Sequence, residues 1–152
     1  MPPPDPQALA EAVAAAMQPN DRVFHALGMR RLEVGPGHAT LTMTVREDML
    51  NGHDICHGGM LFALADTAFA YAGNAYNHVA VSSGADVTFV NAAEPGETLT
   101  AVAEERSRRG RTGVYDVTVS GREGRLIALF RCRSHRLNSK IVSDLDAAGE
   151  PS

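Results

Sequence analysis

The stretch Gly58-Gly59-Met60-Leu61-Phe62-Ala63-Leu64-Ala65-Asp66-Thr67-Ala68-Phe69-Ala70-Tyr71-Ala72 decides the fold. Its Ala, Leu and Met residues lose little side-chain freedom in a helix, and Gly73 or Asn74 supplies a stop. Between Met60 and Ala72 the only clearly polar side chains are Asp66 and Thr67, with Tyr71 amphipathic. A helix apolar all round must be buried on nearly every side. The spacing therefore predicts a central helix.

Upstream lies an irregular loop, Arg46 to His57, rich in Asn, Gly, His and Asp. Before it, Ala39, Leu41, Met43 and Val45 alternate with Thr40, Thr42 and Thr44, a half-buried strand. Gly35-Pro36-Gly37 reads as a turn and Met29 to Val34 as another strand. Val23 to Leu27 is a helical turn, Gln7 to Met17 a short helix closed before Pro19, and residues 1 to 6 are proline-rich and expected to be loose. Downstream, Val79 to Asn91, Glu97 to Arg106, Arg111 to Ser120 and Arg125 to Leu137 read as strands. Ala93-Glu94-Pro95-Gly96, Arg108-Arg109-Gly110 and Gly121-Arg122-Glu123-Gly124 are the turns between them. Such short links predict an antiparallel meander. The fold class is α+β, a sheet of five or six strands wrapped around one long helix, with a second subunit covering the helix face left over. Residues 1–19 form an N-terminal segment, 20–137 the domain, and 138–152 a polar tail expected to be disordered.

The chain has 152 residues, enough for one domain with its own core. Two cysteines exclude a disulfide scaffold and suit a reducing cytoplasm. The N-terminus has no basic and apolar signal pattern, and the uncharged run from Gly58 to Ala65 is too short to span a bilayer. A net charge of −4 argues against nucleic acid. Nine of the 14 basic residues, all Arg, nevertheless lie between Glu104 and Arg136, giving that stretch +5 while the rest carries −9. Either it is a solvated strand face, or it holds an anionic ligand, since guanidinium forks suit phosphate oxygens.

The chemistry concentrates in Asn51-Gly52-His53-Asp54-Ile55-Cys56-His57-Gly58-Gly59 and in Asp66. Two glycines at a helix start allow close approach to free backbone N–H groups, which together with the positive end of the helix dipole suit a developing oxyanion. A carboxylate in an apolar helix is costly unless paired, hydrogen-bonded or protonated. Asp66 is thus either a working base or nucleophile, or a structural group bonded to backbone. Eight residues separate Gly58 from Asp66, about 12 Å of helix. A base and an oxyanion site on one helix cannot serve the same carbonyl, so if both act, each site combines Gly58 of one subunit with Asp66 of another. An isologous dimer provides that arrangement.

Asn51-Gly52-His53-x-x-x-His57-Gly58-Gly59 with Leu64-Ala65-Asp66-Thr67-Ala68 resembles the signature of hotdog-fold acyl-CoA thioesterases, closest to those of phenylacetate degradation. The resemblance covers about residues 20 to 137. It implies a hotdog fold, hydrolysis of phenylacetyl-CoA or ring-hydroxylated relatives, no cofactor, and dimers paired into tetramers. By resemblance Asp66 is the catalytic carboxylate, as nucleophile or general base. Gly58, with Gly59 beside it, polarises the thioester carbonyl, Asn51 orients water or the carbonyl, and His57 shapes the site. Arg108, Arg109, Arg111 and Thr112 are candidates to meet the coenzyme A phosphates, and Phe62, Phe69 and Tyr71 either line an acyl pocket or are plain core.

Other patterns carry less. His53, Cys56 and His57 with Asp54 fit no standard zinc spacing. Ser82 or Ser83 lacks a Gly-x-Ser-x-Gly elbow, and Cys132 alternates with core residues. Two rivals share the scaffold: a hydratase or dehydratase acting on acyl thioesters without releasing thiol, and a non-catalytic acyl-CoA binding module that has no need of Asp66.

Overall fold

A computed structural model describes residues 2–143. The deciding stretch forms helix α3, Gly58–Gly73. Asn74 closes it, with Nδ2 donating to the Ala70 carbonyl at 2.7 Å and Oδ1 accepting from the Ala80 amide at 2.9 Å, so one side chain both stops the helix and fixes the next strand. The strands are β1 (Arg30–Gly35), β2 (His38–Thr44), β3 (Ala80–Phe89), β4 (Thr98–Arg109), β5 (Thr112–Ser120) and β6 (Leu126–Arg136), all paired antiparallel in one sheet.

The expected alternation holds: Ala39, Leu41 and Met43 of β2 point inward, as do Tyr115, Val117 and Val119 of β5. They join one core with Leu61, Leu64, Ala65 and Ala68 of α3. Two shorter helices precede β1. Asp5 caps α1 (Pro6–Met17), its carboxylate accepting from the Ala8 amide at 3.1 Å, and Asp21 caps α2 (Arg22–Ala26). Pro6, expected in a loose start, is instead the first helical residue, where its missing N–H costs nothing.

The sheet order is β1-β2-β4-β5-β6-β3, which corrects the four-strand meander. Of the last four strands β4, β5 and β6 follow one another, while β3 lies at the far edge beside β6. Residues 90–97 cross the end of the sheet. Val90 and Asn91 bond the Ile127 carbonyl, the Ala93 carbonyl accepts from Cys56, and the Gly96 amide reaches Val45. Eight extended residues span about 25 Å, ample for three strand spacings of about 4.8 Å. A short link thus did not imply neighbouring strands.

The turn after β4 also sits further on than expected. Arg108 and Arg109 belong to the strand, Arg109 pairs with Thr112, and Gly110 and Arg111 make a two-residue turn in which Gly110 takes φ +59°. Residues 138–142 are held by Asn77, whose side chain bonds Ile141 and Val142, and the Ser139 carbonyl accepts from Val79. Residues 144–152 of the expected loose tail lie outside the described residues.

The sheet does not enclose α3. Gly59 and Phe62 are exposed, and Ala63, Asp66 and Ala70 are half-buried, forming an uncovered stripe beside edge strand β3. Phe69 and Tyr71 are core, the Tyr71 hydroxyl donating to Asp21 at 3.1 Å, whereas Phe62 stays 37% exposed with its ring edge on Phe130. Among the described residues no helix is long and apolar enough to cross a membrane.

Candidate active site

His57 is the N-cap of α3. Its Nδ1 accepts from the Gly59 N–H at 2.8 Å, and its carbonyl accepts from Met60 at 2.9 Å and Leu61 at 3.3 Å. An accepting Nδ1 leaves the proton of the neutral ring on Nε2. Of the two glycines singled out in the sequence, Gly59 has therefore given up its donor to the cap. The Gly58 N–H makes no hydrogen bond among the described residues and stands at the positive end of the helix dipole.

Asn51 sits across from it. Its Oδ1 accepts from the His53 amide at 2.9 Å and from Ile55 at 3.5 Å, and its backbone N–H bonds the Ile55 carbonyl, so the loop closes on itself. With the oxygen committed, the Nδ2 hydrogens are what Asn51 has left to offer, which makes it a donor toward a carbonyl. Asn51 and Gly58 line one open pocket of about 370 Å³ with Leu61, Phe89 and Ala93. The Cys56 thiol on the same wall is pushed up to about 11 by burial, so it stays protonated and inert at neutral pH.

Asp66 is absent from that pocket. It lies on the uncovered stripe two turns along α3, about 12 Å away by the helix rise. Removal from water raises its pKa above the ordinary carboxylate value. Close by, the Cys132 Sγ lies 3.2 Å from Ser82 Oγ. Sequence reasoning weighed Ser82 only for a triad and did not consider Phe89. Both come close through the β3–β6 pairing, which no local pattern announces.

The arginines divide. On the outer sheet face Arg131 grips Asp116 with two bonds, at 2.6 and 2.9 Å, Arg106 joins it at 3.6 Å, and Arg133 reaches Asp86 at 2.8 Å. These fit the reading of a solvated strand face. Arg108, Arg111 and Thr112 instead line a hollow of about 30 Å³ at the C-terminal end of α3, together with Gly73, His78 and Arg136, while Arg109 lies outside that lining. Arg108 stacks on the Tyr76 ring, 3.6 Å from its centroid, and lies 3.9 Å from Glu105, which also accepts from the Tyr76 and Tyr115 hydroxyls. No group of three or more His, Cys, Asp or Glu side chains able to hold a metal occurs among the described residues.

A helix carrying its donor at the N-terminus and its carboxylate on the exposed flank, cradled by this sheet, is the hotdog arrangement. Residues 53–128 match the thioesterase superfamily, and the chain belongs to that family: it is a hotdog-fold thioesterase. It is 45% identical over 131 residues to the acyl-coenzyme A thioesterase PaaI of Escherichia coli, covering 86% of this chain and 94% of that protein. The structure of the E. coli PaaI protein, from the phenylacetic acid degradation operon, superposes with a TM-score of 0.88 over 90% of this chain and 99% of the other, at 43% identity. A mutant of the phenylacetic acid degradation protein PaaI from Thermus thermophilus matches with a TM-score of 0.74 at 38% identity, over 77% of this chain and all of that one.

Proposed function

We propose that the protein hydrolyses phenylacetyl-CoA or its ring-hydroxylated relatives to the free acid and coenzyme A, at two sites shared across a dimer. The observation that carries this reading is the unengaged Gly58 N–H beside Asn51 Nδ2, with the only carboxylate of the same helix turned to an uncovered flank. The thioester carbonyl oxygen accepts from Gly58 and Asn51, so charge developing on it meets fixed donors. Each such donor contributes about 3–4 kcal/mol at the transition state. Asp66 of the partner subunit takes a proton from water as the hydroxide oxygen bonds to the carbonyl carbon. The C–S bond then breaks, and the thiolate leaves with the electron pair and is protonated. Direct attack by the same carboxylate, followed by hydrolysis of the mixed anhydride, gives the same products. His57 keeps Gly59 out of competition, Arg108, Arg111 and Thr112 take the nucleotide phosphates, and no cofactor takes part. We assign the enzyme to the cytoplasm as a dimer of dimers.

Thiol release from phenylacetyl, hydroxyphenylacetyl, benzoyl, acetyl and medium-chain CoA, measured on wild type and Asp66→Ala together, tests the reading. Preference for the arylacetyl thioesters, with at least a hundredfold loss in the variant, is expected. Hydration of crotonyl-CoA to its 3-hydroxyacyl thioester, with no thiol released from any member of the panel, marks a hydratase. Binding with no turnover marks an acyl-CoA binding module.

A further inference from the structure

We infer that Asn91 is a specificity-determining residue of the proposed site, its side-chain oxygen accepting a hydrogen bond from a donor on the far end of the acyl group. The inference rests on the thioesterase reading above and extends it from the carbonyl to the opposite end of an aryl acyl group, where a phenolic hydroxyl is such a donor.

The pocket that holds both carbonyl donors, about 370 Å³, has room for a single ring. Ile55, Leu61, Phe89 and Val90 give it apolar walls, and apart from the protonated Cys56 thiol only Asn51 and Asn91 bring polar side chains to it. The two amides are committed in opposite senses. Asn51 spends its oxygen on the His53 and Ile55 amides, which leaves its Nδ2 hydrogens. Asn91 spends its nitrogen, Nδ2 donating to the Leu126 carbonyl at 2.8 Å. A carbonyl can only accept, so this bond fixes which end of the Asn91 amide is nitrogen. Oδ1 is left as an acceptor with no partner among the described residues. The pocket thus offers donors to a carbonyl on one side and a single acceptor on another.

Backbone bonds hold the two apart. Phe89 lies over Gly58, and the Ala93 carbonyl accepts from the Cys56 amide, so the chain meets the carbonyl end at both positions. Between them it bows toward β6, where the Val90 and Asn91 amides bond the Ile127 carbonyl at 2.8 and 3.2 Å. Asn91 is two residues from either contact, about 7 Å of extended chain. By bond lengths the para oxygen of a hydroxyphenylacetyl group lies about 6–7 Å from its carbonyl carbon. The reach of the ring therefore matches the offset of Asn91. The bonds to Ile127 and Leu126 fix Asn91 before substrate arrives, so little freedom is lost when a hydroxyl docks.

Substrates altered at the ring test this on the wild type. The 4-hydroxyphenylacetyl and 4-aminophenylacetyl thioesters of coenzyme A each carry a donor. Their kcat/KM should exceed that of phenylacetyl-CoA about three- to tenfold, the range for one hydrogen bond made by an exposed residue. 4-Fluorophenylacetyl-CoA has no donor and should match phenylacetyl-CoA. In Asn91→Leu, which keeps the branching and removes the acceptor, the hydroxy-to-fluoro ratio of kcat/KM should fall to about one. Equal kcat/KM for the hydroxy and fluoro substrates on the wild type would overturn the assignment. A preference that survives in the variant would also overturn it, by placing the acceptor elsewhere. Loss of all substrates by one common factor would make Asn91 a support of its segment or a contact of the pantetheine arm, and no reader of the acyl end. Absence of hydrolysis of every CoA thioester would instead withdraw the thioesterase chemistry itself, and this inference with it.

Discussion

Phe89 lies so close over Gly58 that a β-carbon there would stand 2.9 Å from its Cζ. Two substitutions at Gly58 therefore separate sterics from hydrogen bonding. Gly58→Ala keeps the N–H and pushes aside the end of a ring that is 52% exposed. Gly58→Pro removes the donor. Proline is tolerated at the first helical position, and His57, at φ −59° and ψ 135°, already has the backbone a pre-proline residue adopts. Losing one oxyanion donor costs about 10²–10³ in kcat. Gly58→Pro should fall that far and Gly58→Ala by much less; equal losses in steady-state kinetics would mean that space, not the N–H, is what matters.

The proposed sharing of the site across a dimer predicts rescue. Gly58→Pro and Asp66→Asn homodimers should each be nearly inactive. A mixed dimer joins the intact Gly58 of one to the intact Asp66 of the other at one of two sites, so about half of wild-type kcat should return. If mixed preparations stay as inactive as their parents, one chain carries its whole site.

Asp66 titrates above the ordinary carboxylate value because it is withdrawn from water. The acid limb of kcat/KM should therefore lie above about 3.9, activity falling as pH drops through the raised value. The stability effect has the opposite sense. A carboxyl whose folded pKa exceeds its unfolded pKa favours the fold most when protonated, and that contribution is lost as pH rises through the folded value. Asp66→Asn should raise Tm at neutral pH, with the gain shrinking toward low pH. A lower Tm in the variant at pH 7 would mean that the ionised carboxylate is held by partners rather than exposed to a desolvation penalty.

Glu97 behaves the other way. Only 2% exposed, it accepts from the Glu94 amide at 2.8 Å and the Arg122 amide at 2.7 Å, with Arg125 3.8 Å away, and these bonds lower its pKa. It pins the end of the crossing segment to the β5–β6 link. Glu97→Gln should cost about 1.5–3 kcal/mol, seen as a drop in thermal or urea stability. Wild-type stability should decline as pH falls below about 4.3 through the lowered value, and the Gln variant should decline less steeply, keeping only the part due to other paired carboxylates such as Asp116. Identical acid profiles would show that the charge of Glu97 has no part in holding the two segments.

What could be read in the sequence was whatever local composition specifies. The apolar run fixed α3 to within a residue, and Ala39 to Val45 showed their alternation openly. The roles left to Gly58 and Gly59 were not separable, because the cap geometry of His57 divides them. The place of β3 was hidden since an eight-residue link reaches several strands equally well. The fate of the arginines depended on register: Asp116 stands opposite Arg131 across β5 and β6, and Asp86 opposite Arg131 across β3 and β6, next to Arg133. Such pairings join residues whose separation in the chain carries no signal of contact.

The position of β3 also sets an order of events during synthesis. Phe89 pairs with Ala128 and Ala80 with Arg136, so β3 waits for a strand made 39 to 56 residues later. Closing loops of that length is entropically costly and slows folding. On a growing chain the nucleus is expected in the β4–β5–β6 hairpins, while α3 and β3 stand by with an open edge. The groups proposed for chemistry all emerge in the first half of the chain, yet the strand beside Asp66 finds its pairing partner only in the last strand, and a nascent chain cut short of Leu126 would hold every reactive residue and no enzyme.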